Sequence, residues 1–472
     1  MALTTEREKA AHLLRRFALG ASEAELDYYV KDGLSGAIDK LLNYENVDEG
    51  FNVDVEKFAN NKNGQLRPQA VGAWWTLRMI ATQRPLQEKM TLFWHDHFAT
   101  SGEKVQGGPL MYTQNEILRK NATGSFRDLL METSKDPAML FWLDNQYNVK
   151  GHPNENFARE VMELFTLGIG NYTEHDIQEG ARAFTGWSIA RRNGRDVDPN
   201  KGVKNGNASF IERPALHDSG DKTYLGINGN LTGEDVLNHL CDMPRTAEYI
   251  TWKIWNWFVY PDPEPEVISR VAAKFRADNL SIKTLLRTIM TSPEFYSNKA
   301  ERGIYKCPVD FTVVSLRQLG VAQAMAEALN DAPDNLLRGI APIQSAYLSM
   351  KNMGMQLLFP PDVSGWDGGQ SWITSATMME RITWGSRLFG QAKTGPQLRY
   401  PSYGLFQADA SPQGIAKKLV SIFDAPIPSF KMPMLVEAAQ KASGGRLTPQ
   451  NANATAAAVT KLIFAAPEFQ LM

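Results

Sequence analysis

The chain has 472 residues, of which 43% are hydrophobic and 22% charged, with 50 Lys and Arg against 52 Asp and Glu and a formal net charge of -2. This much apolar material supports a sizeable core and excludes a disordered chain, while the missing net positive field removes the basis for holding nucleic acid or an anionic membrane. Length alone gives a prior of about three units of ~150 residues, or else one large helical body.

The first segment places Glu6, Arg7, Glu8 and Lys9 where a signal peptide would need its apolar stretch, so a cytoplasmic protein is expected. No run of about 18 uninterrupted apolar residues occurs, and no membrane span is predicted. Helical periodicity covers roughly 5–18, 22–43, 68–82, 86–98, 110–143, 155–167, 173–185, 233–258, 264–290, 305–319, 372–390, 411–441 and 453–465. It is interrupted at 188–231, where Asn193-Gly194, Asn205-Gly206 and Asn228-Gly229 surround extended runs such as Ala208–Ile211. That pattern predicts a β-hairpin or long ordered loop between helices. A second irregular stretch, Phe359-Pro360-Pro361-Asp362-Val363-Ser364-Gly365-Trp366-Asp367-Gly368-Gly369, cannot continue a helix past its prolines. Both are places where a helical protein would carry function. The expected fold is mostly α, a large multi-helix body with a small β-containing insertion near 188–231.

An internal echo links Thr288–Phe295 to Leu462–Phe469, with Ser134–Met139 as a looser third copy. Each reads as a helix end followed by a proline that starts a new turn. Cys241 and Cys307 are far apart and belong to no CxxC pair, so neither a disulfide framework nor a zinc knuckle is supported.

The densest polar segment is 153–168. Asn154 reads as its N-cap and Gly168 as the residue past its end, which predicts one capped helix. Glu155, Asn156, Arg159, Glu160 and Glu163 share one face, opposite Phe157, Val161, Leu164 and Phe165. That face reads either as a solvated i,i+4 ladder or as a cleft wall in which neighbouring carboxylates raise one another's pKa. His95 and His97 point about 200° apart on a continuous helix and could share a metal only if the helix ended between them. With no HExxH or CxxC beside them, no tightly bound stoichiometric metal and no cofactor are expected. His217 and Asp218, in the irregular insertion, are the better site candidates, against the alternative of an Asx-type turn. They are expected to meet the Glu155–Glu160 face. Trp252, Trp255 and Trp257 sit at helical spacing and read as core. Trp187, Trp366 and Trp372 sit at loop edges beside glycines, where an indole can stack on a sugar ring. No nucleotide, zinc-protease or α/β-hydrolase motif occurs in suitable context.

Several of these runs resemble a known family. They are His12–Phe17 with Gly20; Phe93-Trp94-His95-Asp96-His97-Phe98; Asn154–Glu160 running on to Gly168; Ala183–Trp187; His217-Asp218 with Lys222; and Pro360-Pro361 with Gly365-Trp366. Together they make the chain similar to the bacterial family called domain of unknown function 1800. The matches run from about residue 8 to about 390. On that basis 1–390 is expected to be the family-like helical body carrying the insertion, and 391–472 a C-terminal helical segment packed on it. The resemblance implies no known activity. Genes of the family often neighbour those of a sulfatase- or phosphatase-like family, many members are exported, and other branches lack the histidines of the Trp94–Phe98 segment.

Three functional readings follow. The first is a hydrolase-like enzyme acting on a carbohydrate or other polymer. In it Glu155, Glu160, His217 and Asp218 do acid–base work, and Arg159, Trp187 and Trp366 bind substrate. The second is a metal enzyme using His and carboxylate ligands. The third is a non-catalytic helical assembly or maturation partner of the phosphatase- or sulfatase-like protein.

Overall fold

The computed structural model of the protein describes residues 3–59, 65–191, 208–321, 336–395 and 397–472. Its helix starts are written in the sequence. Thr5, Ser22, Thr173 and Thr232 each close a capping box with the acidic residue three positions on. Pro68, Pro85, Pro137, Pro244, Pro265, Pro308 and Pro412 open helices at a position where no backbone N–H is needed.

The first half contains α1 (Glu6–Phe17), α2 (Glu23–Val30), α3 (Gly33–Leu42), α4 (Pro68–Ala81), α5 (Pro85–His97), α6 (Gly102–Val105), α7 (Gly108–Lys120), α8 (Phe126–Ser134), α9 (Pro137–Trp142), α10 (Glu155–Glu160) and α11 (Glu174–Ala183). Two small antiparallel hairpins follow: β1 (Trp187–Arg191) with β2 (Ala208–Glu212), and β3 (Lys222–Tyr224) with β4 (Ile227–Gly229). Then come α12 (Gly233–Asp242), α13 (Pro244–Phe258), α14 (Pro265–Ala277), α15 (Ile282–Met290), α16 (Pro308–Gln318), α17 (Leu336–Asn352), α18 (Ser375–Leu388), α19 (Pro412–Ile422), α20 (Met432–Ser443) and α21 (Ala452–Ala465). The mostly α fold with a β-containing insertion is thus observed. The Asn193-Gly194 and Asn205-Gly206 turns lie outside the described residues. Asn228-Gly229 is not a turn but part of β4, and its hairpin turns at Leu225-Gly226, both in the left-handed region.

The internal echo has a structural counterpart. α8, α15 and α21 each run into a proline-started turn, at Pro137, Pro293 and Pro467. The helices that lead into Ser134–Met139 and Thr288–Phe295 also meet, at their starts. Phe126 N–H donates to the Leu280 carbonyl at 2.9 Å and Ile282 N–H donates to the Gly124 carbonyl at 2.8 Å, a reciprocal exchange about Ser125 and Ser281. After α18, α19–α21 pack on one another, and the last residues return to the body through Lys306 N–H to the Gln470 carbonyl and Met472 N–H to the Ile304 carbonyl.

α5 lies at the centre, packed on α1, α3 and α7. Its Glu88 is fully buried and accepts from Arg119 at 2.5 Å and from the Trp75 indole at 2.7 Å. Burial alone would raise the Glu88 pKa, but Arg119 and Arg78 outweigh it and hold the carboxyl below its usual range. The next residue, Lys89, is equally buried and pairs with Asp310 of α16. Removing one partner of a buried pair strands the other charge, which costs about 3–5 kcal/mol. Asp310→Leu should therefore lower unfolding stability in urea by about that amount, and adding Lys89→Met should recover most of it. A loss under about 1 kcal/mol in the single variant, the range of surface pairs, would contradict the buried placement.

Candidate active site

Four consecutive side chains at the end of α5 each hold a different distant segment. The Trp94 indole donates to the Ala122 carbonyl at 2.9 Å. Leu358 N–H donates to His95 Nε2 at 3.1 Å, which requires a neutral ring, and burial pushes the His95 pKa down to about 3. Trp366 N–H donates to Asp96 Oδ1 at 2.9 Å. His97 Nε2–H donates to the Phe165 carbonyl at 3.2 Å. The two histidines do diverge, as an i,i+2 spacing requires, and each works as an anchor: His95 for the 358–366 loop and His97 for the segment after α10.

The loop fits against α5 only because residue 365 is glycine. Gly365 has φ +89°, and a Cβ there would stand 2.4 Å from Asp96 Oδ1 and 2.6 Å from the Asp96 carbonyl. Beside this contact opens a cavity of about 470 Å³. Asp96 and His97 of α5 form one wall, Trp252, Lys253 and Trp257 of α13 the facing wall, and Trp366 and Trp372 of the loop a third. Burial raises the Asp96 carboxyl to about 6, against the downward pull of the Trp366 amide and Lys253. Burial also lowers the Lys253 pKa, and the Asp96 charge opposes that. The cavity therefore juxtaposes a carboxyl that ionises near neutrality, an amine with a weakened hold on its proton, and flat aromatic surfaces.

A second acidic group lies on the other flank of the loop. α10 does not continue as an α-helix to Gly168; Val161–Thr166 is a π-helix, with Leu167 N–H donating to the Met162 carbonyl and Thr166 Oγ1 to the Val161 carbonyl at 2.6 Å. Glu160 sits at the junction, half-buried and without a hydrogen bond, and its carboxyl is raised to about 7 by burial, then by the charges of Glu163 and Asp362. Glu163 itself accepts from the Tyr172 hydroxyl. Glu155 and Arg159 do form the i,i+4 pair, at 3.4 Å, and Arg159 turns mainly to Glu174 of α11 at 2.9 Å.

The remaining sequence candidates are placed elsewhere. His217 Nδ1–H donates to the Thr185 carbonyl at 2.9 Å, and Asp218 accepts from Arg182 Nε at 2.9 Å, which holds its carboxyl down at about 2. Lys222 Nζ donates to the Asp218 and Gly220 carbonyls at 2.6 and 3.0 Å. Neither His217 nor Asp218 bonds to Glu155, Arg159 or Glu160. α11 separates them: Glu174 engages Arg159 at one end and Arg182 engages Asp218 at the other, about 12 Å along the axis. The expected meeting of the two groups is thus corrected to two ends of one helix. Trp187 is 1% exposed, packed on Phe184 and Phe210, and presents no face for a ligand. Trp252, expected in the core, is 43% exposed and lines the cavity. Trp366 and Trp372 line it as well; Trp372 is 7% exposed and Trp366 is half-buried, so of the loop-edge candidates Trp366 presents the more open ring.

The Trp94–Phe98 run, the Glu160 block and the Gly365-Trp366 loop thus come together around one region. The sequence profile of the family described as protein of unknown function (DUF1800) matches residues 12–471. The chain belongs to this family. No curated protein matches the DUF1800 chain, and no solved structure does. No helix among its described residues is long and apolar enough to cross a membrane.

Asp96 and Glu160 give the DUF1800 protein a specific pH signature. Both carboxyls titrate higher in the folded chain than in the unfolded one, so the folded state gains stability when they are protonated. That gain is fully present below the unfolded-state values near 4 and is lost as pH rises through about 6 for Asp96 and about 7 for Glu160. Asp96→Asn and Glu160→Gln should each raise the melting temperature relative to wild type at pH 8, with the difference vanishing by pH 4. Calorimetric scans across that range check it; variants equally destabilised at every pH would contradict it.

Proposed function

We propose that this protein is a hydrolase-like acid–base enzyme acting on a carbohydrate or comparable polymer, with the α5–α13 cavity as its active site. The observation that carries this reading is the Asp96 carboxyl, raised to about 6 in a cavity with four tryptophans in its lining. A carboxyl ionising close to working pH can both give and take a proton, and such groups contribute about 10²- to 10⁴-fold to rate. Indole faces at Trp366, Trp252 and Trp257 suit the apolar face of a sugar ring, and Gln370 of the loop adds a polar group to the same lining. In this role Asp96 replaces the Glu155–His217 set expected from sequence, and Glu160 becomes a second near-neutral carboxyl behind the loop rather than a partner of His217.

The test is a panel of chromogenic glycosides and oligosaccharides, with turnover and quenching of tryptophan fluorescence as readouts. Asp96→Asn should lose at least about 100-fold in turnover while melting no lower than wild type at any pH. Trp366→Ala should weaken binding about tenfold with a smaller effect on the maximal rate. Equal turnover by wild type and Asp96→Asn, or no response to any saccharide in the panel, would contradict the reading; the second outcome would favour the non-catalytic partner.

A further inference from the structure

Lys253, half-buried on α13, differs from the buried lysines. Lys89 is paired with Asp310, Lys222 donates to two carbonyls, and Lys306 lies over the Phe469 ring. Among the described residues Lys253 makes no hydrogen bond and no close ion pair; with Trp252 and Trp257 of α13 it lines the cavity, and it is the one lysine among the described lining residues. The other ionisable side chains around the same space are Asp96, His97, Tyr305, Cys307, Asp310 and Asp367. Asp310 is committed to Lys89 and accepts from the Cys307 thiol, while burial raises the Cys307 pKa above the thiolate range. His97 is a neutral buried ring bound to Phe165. Asp367 is exposed, and of the remaining carboxyl and phenol groups Asp96 is the one whose charge acts on Lys253, so Asp96 is the proton donor assigned to the amine.

We propose that Lys253 is a carbonyl-capturing nucleophile: its Nζ condenses with an aldehyde or ketone, such as the open-chain carbonyl of a reducing sugar, in the cavity it shares with Asp96. The Nζ lone pair attacks the carbonyl carbon, the C=O π pair moves to oxygen, and one proton passes from nitrogen to that oxygen to give a carbinolamine. The protonated Asp96 carboxyl then donates to the hydroxyl, the C–O bond breaks, water leaves, and the nitrogen lone pair forms the C=N bond of an iminium. One water is released, Asp96 ends as carboxylate, and nothing is oxidised or reduced. The step needs an uncharged amine, which desolvation among indoles favours, and a carboxyl that is protonated at the start, which the burial of Asp96 favours. The anionic Asp96 left behind then faces the cationic iminium, so the product state is electrostatically matched.

The inference rests on the reading above in taking this cavity as the reactive site, but its test does not require hydrolysis. Full-length protein is incubated briefly at pH 7 with D-glyceraldehyde and sodium cyanoborohydride, digested, and mapped by peptide mass. The expected result is a reduced adduct on the Lys253 peptide that forms at least about tenfold faster than at any exposed lysine. Asp96→Asn should keep the site preference and slow the reaction about tenfold or more. Adducts spread over exposed lysines with Lys253 unmodified, or modified no faster than they are, would overturn the proposal. Trapping at Lys253 without cleavage of any glycoside would overturn the hydrolase reading alone. Cleavage lost in Asp96→Asn without trapping at Lys253 would overturn carbonyl capture alone.

Discussion

The last turn of α5 is the constraint on which the rest of the site depends. Trp94, His95, Asp96 and His97 spend their polar atoms on Ala122, Leu358, Trp366 and Phe165, in three segments far apart in the chain. Four adjacent side chains on a helix face four directions, so this run acts as a hub around which a loop, a π turn and a neighbouring helix junction are fixed. A buried polar group left unpaired costs about 1–3 kcal/mol, so a change in any of these segments is felt at the others. The buried Glu88 and Lys89 one to two turns earlier hold α5 itself to α7 and α16. The cavity is then the space left between this anchored helix, α13 and the tethered loop.

That arrangement explains why two carboxyls are held away from their ordinary pKa values. Asp96 and Glu160 lie on opposite flanks of the 359–366 loop, one under the Trp366 amide and the other near Asp362. Neither has a cation in direct contact, unlike Glu88 or Asp218, whose arginines keep them ionised. Stability is forgone at both positions above neutral pH. Groups kept in such a state are candidates for chemistry because packing alone would favour an apolar side chain or an ion pair. The His217–Asp218–Arg182 cluster has the opposite character. Every charge in it is matched, and it fastens β3 to the end of α11.

Much of the architecture was legible because helix boundaries are local chemistry. Capping residues and prolines mark most starts, and the proline-rich 359–369 stretch reads correctly as irregular. The split within 264–290 was not legible, since its junction Asn279-Leu280, both at positive φ, carries no glycine or proline signal; the splits within 22–43, 110–143 and 233–258 are marked by Gly33, Pro137 and Pro244, whose signals the helical period there overrides. α17 escaped because Gly339 and Pro342 break its pattern. The π turn depends on Thr166 reaching the carbonyl five residues back, a choice made by tertiary packing. At the site, Trp366 was visible from its place in a glycine-rich loop. Asp96 was obscured by the histidines on either side, and Lys253 by the helical spacing of the surrounding tryptophans, which reads as core. Their partnership arises from long-range contact between α5 and α13, and no local signal encodes it.

The central claim is that Asp96 ionises near neutrality inside the cavity. Its most direct test is a carboxyl carbon titration of protein labelled with ¹³C-aspartate, with Asp96→Asn used for assignment. The account predicts one resonance with a midpoint near 6 that is missing in the variant. A midpoint near 4 for that resonance, the ordinary aspartate value, would contradict it.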